Sequence, residues 1–381
     1  MDWNFLIKNK ESLNVTSDSR KVTPGCVFVA LKGEHFDGND YVDAALRAGA
    51  VHVIRGEHAL EQLQDLARAW RRELAIPVIG ITGTNGKTTT KELTATVLAT
   101  KYRLHFTQGN LNNSLGVPLT LLQMTRAHQL AIIEMGASHP GDIRELVNIA
   151  EPNYGLITNV GKAHLLGFGS FEGVMSTKAE LYDYIRAHNG IIFRNLDNPY
   201  LAQMAGDLQT IGYHTATMPE GTHLEGNYNS ENVQAALTIG EYFGISHQDA
   251  LQAIRAYVPT NNRSQRIQTE RNTLIVDAYN ANPTSMQAAI NAFRGDTYIL
   301  GAMRELGDYT HTEHQNIVNM LLERKADTVL LVGDEWRLTT ATYPIYSDTD
   351  ALLPTLQALT NRTILIKGSR SNQLEKIIPQ L

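Results

Sequence analysis

The sequence lacks the cysteine pairs and the long apolar runs that are typical of secreted and membrane proteins. Its 381 residues include a single cysteine, Cys26, so no internal disulfide can form, which fits a reducing compartment. No apolar run approaches the ~20 residues of a membrane-spanning helix, and the first residues lack a signal-peptide pattern. We therefore expect a cytoplasmic protein without a membrane span.

An excess of positive charge is also missing. The formal net charge is -6, whereas proteins that bind the phosphate backbone of nucleic acids usually present a basic face. This balance argues against a nucleic-acid partner. It does not argue against a nucleotide, because one well-placed loop is enough to bind one. There is no low-complexity tract and no short internal repeat.

The length predicts two or three domains, and the pattern of the chain favours three. Residues 1–77 read as a small α/β unit that ends in a helix over 60–74. Residues 78–258 and 259–381 each alternate apolar strands with helical segments, which is typical of mostly parallel sheets covered by helices on both faces. The predicted strands of these two regions are Val78–Thr82, Leu130–Glu134, Tyr154–Thr158, Gly190–Phe193, Thr273–Asp277, Thr297–Leu300, Thr328–Val332 and Thr363–Ile366. The third region is expected to be Rossmann-like.

The most informative segment is the glycine loop after Val78–Thr82. Backbone N–H groups in such a loop, together with a helix N-terminus, suit a phosphate group. The lysine would reach the β- and γ-phosphates of ATP, and the next hydroxyl would bind Mg²⁺. Ile81 stands where the usual pattern has glycine, so a turn without a ligand is the alternative. The predicted nucleotide-binding residues of the loop are Gly83, Thr84, Asn85, Gly86, Lys87, Thr88 and Thr89.

Thr82–Thr90 resembles the phosphate loop of the Mur ligases, which departs from the usual pattern in the same way. The resemblance implies a central P-loop ATPase domain and ATP-dependent amide-bond formation through an acyl phosphate. It also implies Arg263 at the phosphates and nucleotide contacts from Asn229, Asn232 and Asp277. The two asparagines could instead be helix N-caps.

Glu134 and His164 each follow a predicted strand, at the sheet edge where ligands bind. Both side chains can ligate a divalent cation, and Mg²⁺ prefers the carboxylate. The resemblance implies that Thr88, Glu134, His164 and a carbamylated Lys178 organise Mg²⁺, and that Lys87, Lys178, His164 and Arg263 are catalytic. The alternative for Lys178 is a solvated helix lysine.

Near the start of the chain, Thr16–Arg20 and Pro24–Gly33 are similar to the uridine-nucleotide domain of the later Mur ligases. The resemblance implies that Ser17, Ser19 and Arg20 contact the UDP group of the substrate. Without the family, the same segment is a plain turn, strand and turn.

Four stretches resemble the family members that add D-Ala-D-Ala: Gly109–Pro118, Glu134–Ala137, Asp277–Pro283 and Leu300–Gly307. They imply a UDP-N-acetylmuramoyl tripeptide and D-Ala-D-Ala as substrates. We expect the enzyme to be a monomer. The residues expected to contact substrate are Asn110, Asn112, Asn113, Asn280 and Asn282. The Asp-Asn-Pro-Arg motif of the third-residue-adding members is absent, because Tyr200 follows Asp197–Pro199.

Other readings stay open. A third-residue-adding ligase would use a single amino acid, and a folate polyglutamate ligase would lack the domain that holds Ser17–Arg20. A nucleotide-binding protein without turnover is possible because residues 195–226 are shorter than the family usually has. That shortening predicts trimmed surface elements and a less covered edge of the central sheet.

Overall fold

The computed structural model describes residues 2–381, and three β-sheets follow one another along the chain. The first sheet has three parallel strands in the order β1-β2-β3. The elements of this region are α1 (Asn4–Ile7), β1 (Val15–Thr16), β2 (Val27–Val29), α2 (Val42–Arg47), β3 (His52–Ile54) and α3 (Ala59–Leu74).

The central sheet has six parallel strands in the order β5-β6-β4-β7-β8-β9. Its elements are β4 (Val78–Thr82), α4 (Lys87–Leu98), β5 (Leu104–Phe106), α5 (Gly116–Leu122), β6 (Leu130–Glu134), α6 (Asp142–Ala150), β7 (Tyr154–Ile157), α7 (Leu165–Phe168), α8 (Phe171–Ala187), β8 (Ile191–Asn195), α9 (Pro199–Ala205), β9 (Thr210–Tyr213), α10 (Asn229–Tyr242) and α11 (His247–Ala256). Helices α5, α6 and α8 cover one face, and α4, α10 and α11 cover the other. The predicted parallel sheet between helices is confirmed.

Helix α3 joins the first region to the central one, because its apolar face packs on α5 and α6. The Trp70 indole N–H donates to the carbonyl of Met124 at 3.0 Å. The buried guanidinium of Arg71 donates to the carbonyl of Ala150 at 3.1 Å. The first two regions therefore share one apolar core.

The shortened segment retains regular structure that the sequence pattern did not reveal. Helix α9 and strand β9 lie there, and β9 forms the edge of the central sheet beside β8. Helix α10 packs on β9, so one face of the edge is covered. Asn198 caps α9 by accepting from the N–H groups of Tyr200 and Leu201, and Pro199 starts the helix. The Asp197–Pro199 motif therefore has a structural role here.

The third sheet has the order β10-β11-β15-β12-β13-β14. All its pairings are parallel except that of β10 with β11, which the sequence did not predict. Its elements are β10 (Gln265–Gln268), β11 (Thr273–Asp277), α12 (Pro283–Ala292), β12 (Thr297–Gly301), α13 (Thr310–Glu323), β13 (Thr328–Val332), β14 (Ile345–Tyr346), α14 (Thr349–Leu356) and β15 (Thr363–Lys367). Leu165 and Phe168 of α7 pack into its core, so the central and C-terminal regions are in contact. Among residues 2–381, no helix combines the length and the apolar character that a membrane crossing requires.

Candidate active site

The glycine loop connects the end of β4 to the start of α4 and depends on its two glycines. Gly83 has φ +139° and Gly86 has φ +79°, in the region that favours glycine. A Cβ at Gly83 would overlap the Thr158 hydroxyl, and one at Gly86 would overlap the amide oxygen of Asn232. The loop therefore presents its backbone at the positive end of α4, as an anion site requires.

The loop that follows β7 holds the glycine loop in place. The backbone N–H of Thr84 donates to the carbonyl of Asn159 at 2.9 Å, and that of Asn85 donates to the Asn159 side chain at 3.0 Å. The Thr158 hydroxyl donates to the carbonyl of Asn85 at 2.6 Å. These contacts fix the backbone that would hold a phosphate.

Lys87 points back over the loop. Its ammonium donates to the carbonyls of Gly83 at 2.7 Å and Thr84 at 2.9 Å. Burial lowers the pKa of Lys87 to about 8, and the nearby Arg263 charge adds to that effect while Glu134 opposes it. An anionic phosphate would favour the charged form of this lysine.

Glu134, at the end of β6, has an incompletely satisfied carboxylate. Its Oε1 accepts from the Thr88 hydroxyl at 3.2 Å and from the Asn112 amide at 2.9 Å. Its Oε2 is buried and has no hydrogen-bond partner among the described residues, and the Lys91 ammonium is 3.9 Å away. A buried carboxylate oxygen without a partner is a suitable position for a cation.

His164 and Glu305 are in contact across the boundary between the central and C-terminal regions. The His164 Nδ1 atom pairs with the Glu305 carboxylate. Both residues have a left-handed backbone, with φ +49° and +61°. Burial lowers the pKa of His164, although the Glu305 carboxylate opposes that shift. Two non-glycine residues in this conformation mark a constrained junction.

Lys178 is buried and not a surface lysine, so the alternative of a solvated side chain is wrong. The side chain is 2% exposed, and its ammonium lies 5.5 Å from the centre of the Phe168 ring. No carboxylate among residues 2–381 forms an ion pair with it. Burial, and then the charge of Lys87, hold the pKa of Lys178 well below its usual range. A lowered pKa favours the neutral amine, which is the form that reacts with CO₂.

A cavity of about 890 Å³ brings most of the predicted residues together. The predicted residues that line it are Thr84, Asn85, Gly86, Lys87, Thr88, Thr89, Asn110, Asn112, Asn113, Glu134, His164, Asn229, Asn232, Arg263, Asp277 and Asn280. Gly83 and Lys178 are not among its lining residues. Asn282 lines a smaller neighbouring cavity.

Ser17, Ser19 and Arg20 do not line this cavity. Asp18 caps a short 3-10 turn there, and the exposed Arg20 guanidinium donates to its carboxylate at 2.9 Å. The hydrogen bonds from Arg20 lower the pKa of Asp18 to about 2. The structure therefore places these three residues apart from the phosphate loop.

Asn229 and Asn232 connect α10 to α4. The Asn232 side chain accepts from the Thr90 hydroxyl at 2.9 Å and donates to the Asn229 side chain at 2.9 Å. The Asn229 amide donates to the carbonyl of Glu225 at 2.7 Å. Neither side chain caps the helix, so the N-cap alternative is wrong.

The C-terminal wall of the cavity contains a buried ion pair and an aromatic ring. The Lys367 ammonium donates to Asp277 at 2.6 Å and to the carbonyl of Asn280 at 3.1 Å. The Arg263 guanidinium lies 3.9 Å from the centre of the Tyr279 ring. The C-terminal region thus supplies both signs of charge to the cavity.

The phosphate loop also touches the C-terminal region directly. The side-chain amides of Asn85 and Asn282 pair in both directions, at 2.8 and 3.4 Å. Asn282 is at the same time the N-cap of α12. Nearby, the Lys162 ammonium donates to the Glu313 carboxylate at 2.7 Å.

Sequence reasoning missed four residues of this site: Lys91, Tyr279, Glu305 and Arg370. Lys91 is fully buried one turn after Lys87. Tyr279 and Glu305 lie within Asp277–Pro283 and Leu300–Gly307, two of the stretches that resemble the D-Ala-D-Ala-adding members, and Arg370 follows β15. The sequence signal that could have identified Tyr279 and Glu305 is that each is a polar or charged residue within a stretch already assigned to substrate binding.

Three protein-family profiles match the chain. They are described as the Mur ligase family, catalytic domain (residues 13–94), the Mur ligase middle domain (81–254), and the Mur ligase, glutamate ligase domain (262–370). The chain is also similar to the UDP-N-acetylmuramoyl-tripeptide--D-alanyl-D-alanine ligases of Bacillus subtilis and Escherichia coli. The identities are 35% and 34%, over 96% of this chain and 92% and 93% of theirs.

The chain is also similar to solved structures of MurF ligases. MurF from Acinetobacter baumannii superposes with a TM-score of 0.87 at 28% identity, covering 97% of this chain and 93% of that one. MurF ligase from Thermotoga maritima, in complex with ADP, superposes with a TM-score of 0.87 at 26% identity and 98% coverage of both chains. The alignment with the Bacillus relative spans 424 positions against 381 residues here, so that relative has insertions that this chain lacks.

Proposed function

The chain belongs to the Mur ligase family, and we propose that it joins D-Ala-D-Ala to a UDP-N-acetylmuramoyl tripeptide in peptidoglycan precursor synthesis. It is an ATP-dependent ligase that forms a carbon–nitrogen bond. One observation carries the proposal: the phosphate loop, the Asn110–Asn113 turn and the C-terminal wall line a single cavity. A nucleotide, an acyl group and an incoming amine can meet there.

The reaction has two steps. A carboxylate oxygen of the tripeptide attacks the γ-phosphorus of ATP, and ADP leaves. The neutral amine of D-Ala-D-Ala then attacks the acyl carbon, the carbon–oxygen bond breaks, and inorganic phosphate leaves while the attacking nitrogen loses one proton. The chain contributes mainly by positioning the reactants and neutralising charge. We assign Lys87 and Arg263 to the phosphates, and Asn229, Asn232 and Asp277 to the rest of the nucleotide.

Mg²⁺ fits the residues around Glu134. Among residues 2–381 no three His, Cys, Asp or Glu side chains cluster as a protein-only metal site. Mg²⁺ commonly uses one or two carboxylates together with substrate phosphates and water, so a single unsatisfied oxygen beside a phosphate loop suits it. We propose Thr88, Glu134, His164 and a carbamylated Lys178 as the residues that hold it. Bound Mg²⁺ would neutralise charge on the phosphoryl oxygens.

The remaining assignments complete the proposal. Residues 1–77, through Ser17, Ser19 and Arg20, bind the UDP group, residues 78–258 bind ATP, and residues 259–381 bind the incoming dipeptide. Asn110, Asn112, Asn113, Asn280 and Asn282 contact substrate. The enzyme acts as a cytoplasmic monomer, where ATP and the nucleotide-linked precursor are available.

Phosphate release from ATP tests the reaction. We expect release only when both UDP-N-acetylmuramoyl tripeptide and D-Ala-D-Ala are present. Turnover of a UDP-muramoyl dipeptide with a single amino acid, such as meso-diaminopimelate, would mean that the chain is a third-residue-adding ligase. ATP binding without any phosphate release would mean that the shortened chain is inactive.

A further inference from the structure

Two arginines contact the same aromatic ring in the cavity wall. The Arg263 guanidinium lies 3.9 Å from the centre of the Tyr279 ring, and that of Arg370 lies 5.4 Å from it. Neither guanidinium pairs with a carboxylate within the part of the chain that the structure describes, residues 2–381. Two neighbouring cations without a counter-ion repel each other, so this wall is arranged to receive anionic groups.

Arg370 differs from Arg263 because it lines a second cavity as well. This smaller cavity has a volume of about 420 Å³ and adjoins the larger one. The two share five lining residues: His164, Tyr279, Asn280, Glu305 and Arg370. No residue of the phosphate loop lines it. A group bound there is therefore not the triphosphate that the loop would hold.

The donors of the small cavity point to a carboxylate. Its lining includes Ser371 and Asn280, whose hydroxyl and side-chain amide groups can donate, and Ser369, whose hydroxyl already donates to the carbonyl of Ala281 at 3.4 Å. The other arginine there, Arg304, is already neutralised by Glu335 and also donates to Ser371 at 3.2 Å. The acidic residue of the wall, Glu305, pairs with His164. Of the two arginines among the described residues that line this cavity, Arg370 is thus the one whose charge remains available.

We propose that Arg370 binds the terminal carboxylate of the incoming dipeptide, with the Tyr279 ring holding the guanidinium in place. This inference rests on the proposed function. The amine and the carboxylate of an extended dipeptide are about 7 Å apart, or two residue lengths. With the carboxylate in the small cavity, the amine reaches the larger one, where the acyl phosphate forms. Arg370 is then a specificity-determining residue, because it selects an amine that carries a carboxylate at this distance.

The test compares D-Ala-D-Ala with its C-terminal carboxamide in the wild type, Arg370→Ala and Arg370→Lys. The wild type should show a KM for the carboxamide about 10- to 100-fold above that for the dipeptide, as expected for a lost charge-assisted hydrogen bond. Arg370→Ala should raise the KM for the dipeptide by a similar factor and leave that for the carboxamide almost unchanged. Arg370→Lys keeps a point charge, so its KM for the dipeptide should lie between those of the wild type and Arg370→Ala.

Arg337→Ala is the matched control, since Arg337 is exposed, lies in the same region, and pairs with Asp334 at 2.9 Å away from both cavities. The KM values for ATP and for the tripeptide nucleotide should be unchanged in Arg370→Ala. A rise in the KM for ATP with no change for the dipeptide would assign Arg370 to the triphosphate and overturn the inference. Persistent discrimination against the carboxamide in Arg370→Ala would overturn it as well. A wild type that does not consume D-Ala-D-Ala would overturn the proposed function itself.

Discussion

The Lys87 ammonium contacts two loop carbonyls and, within residues 2–381, forms no ion pair with a carboxylate, so the described chain does not neutralise its charge. We expect Lys87→Ala to abolish phosphate release, because the variant lacks the cation that faces the phosphates. The loss of two hydrogen bonds to backbone carbonyls should lower stability only modestly, by about 1–3 kcal/mol. Steady-state phosphate release and urea unfolding measure the two effects.

Lys101→Ala provides the control for this prediction. The Lys101 ammonium also donates to two backbone carbonyls, those of Phe243 at 3.0 Å and Gly244 at 3.1 Å, but it lies outside the cavity. The Lys101→Ala variant should lose about as much unfolding free energy as Lys87→Ala and keep its phosphate-release activity. A Lys87→Ala enzyme that turns over normally would remove this residue from the phosphate site.

Lys178 is buried and forms no ion pair with any residue of the described chain, 2–381, which is costly for an ordinary lysine. If it is carbamylated, Lys178→Ala removes an anion from beside the metal site, so phosphate release should fall by more than about tenfold. Stability should change little, because the lost packing is offset by removal of a buried amine. Added formate or acetate should restore part of the activity by occupying the vacated position.

Two comparisons separate this explanation from a general salt effect. Potassium chloride at equal ionic strength should not restore Lys178→Ala, because chloride cannot bridge as a carboxylate does. Formate should not restore Lys87→Ala either, since the missing charge there is positive. Full activity of Lys178→Ala without any additive would exclude the residue from the site.

At the scale of secondary-structure elements, His105 connects β5 to α5. Its Nε2 atom lies 2.8 Å from the carbonyl of Thr120, and the His128 ring is 5.1 Å away. Burial lowers the pKa of His105 to about 4, and the neighbouring His128 adds to this shift. The folded protein therefore keeps the ring neutral, whereas the unfolded chain takes up a proton below pH about 6.5.

This difference predicts that the free energy of unfolding decreases as the pH falls from about 6.5 towards 4. Urea denaturation at pH 7 and pH 5 should show a smaller decrease for His105→Gln than for the wild type, because glutamine can still donate to Thr120 and does not titrate. His35→Gln, at an exposed position, is the control. Equal decreases in wild type and His105→Gln would show that other groups dominate the acid response.

At the scale of the whole molecule, polar contacts next to the phosphate loop join the central and C-terminal regions, in addition to the apolar packing of Leu165 and Phe168. Glu313 is 2% exposed and pairs with Lys162 of the central region at 2.7 Å. Lys162→Met would leave this carboxylate buried without its cation, which costs more than loss of the pair itself. We expect Lys162→Met to shift the molecule towards a more open arrangement, seen as a larger radius of gyration in solution scattering.

A double-mutant cycle checks that the effect belongs to the pair. Lys162→Met with Glu313→Gln should recover part of the stability and compactness that Lys162→Met loses, because no uncompensated charge remains. If the losses of the two single variants simply add in the double variant, the contact does not hold the two regions together.

Local pattern was sufficient for the elements and residues whose roles depend on their near neighbours. Strands β4, β6, β11 and β13 begin and end where the apolar runs predicted, since each run is bounded by turn residues. The glycine loop was recognisable because its strand, glycines, lysine and helix are consecutive in the sequence. Helix α9, strand β9 and the antiparallel strand β10 were not predicted, because short elements at a sheet edge have no distinctive hydrophobic pattern.

Contacts between residues that are far apart in the sequence could be identified only from the tertiary structure. Nothing near Lys178 in the sequence indicates that the side chain is buried, because burial depends on how α8 packs. His164 and Glu305 are 141 residues apart, and Asn85 and Asn282 are 197 apart, so only the folding of three sheets against one another brings them into contact. Arg370 likewise became a candidate site residue only because β15 ends beside Tyr279, where two cavities meet. Helical and strand periods record which face of an element is buried, but they do not record which distant element covers it.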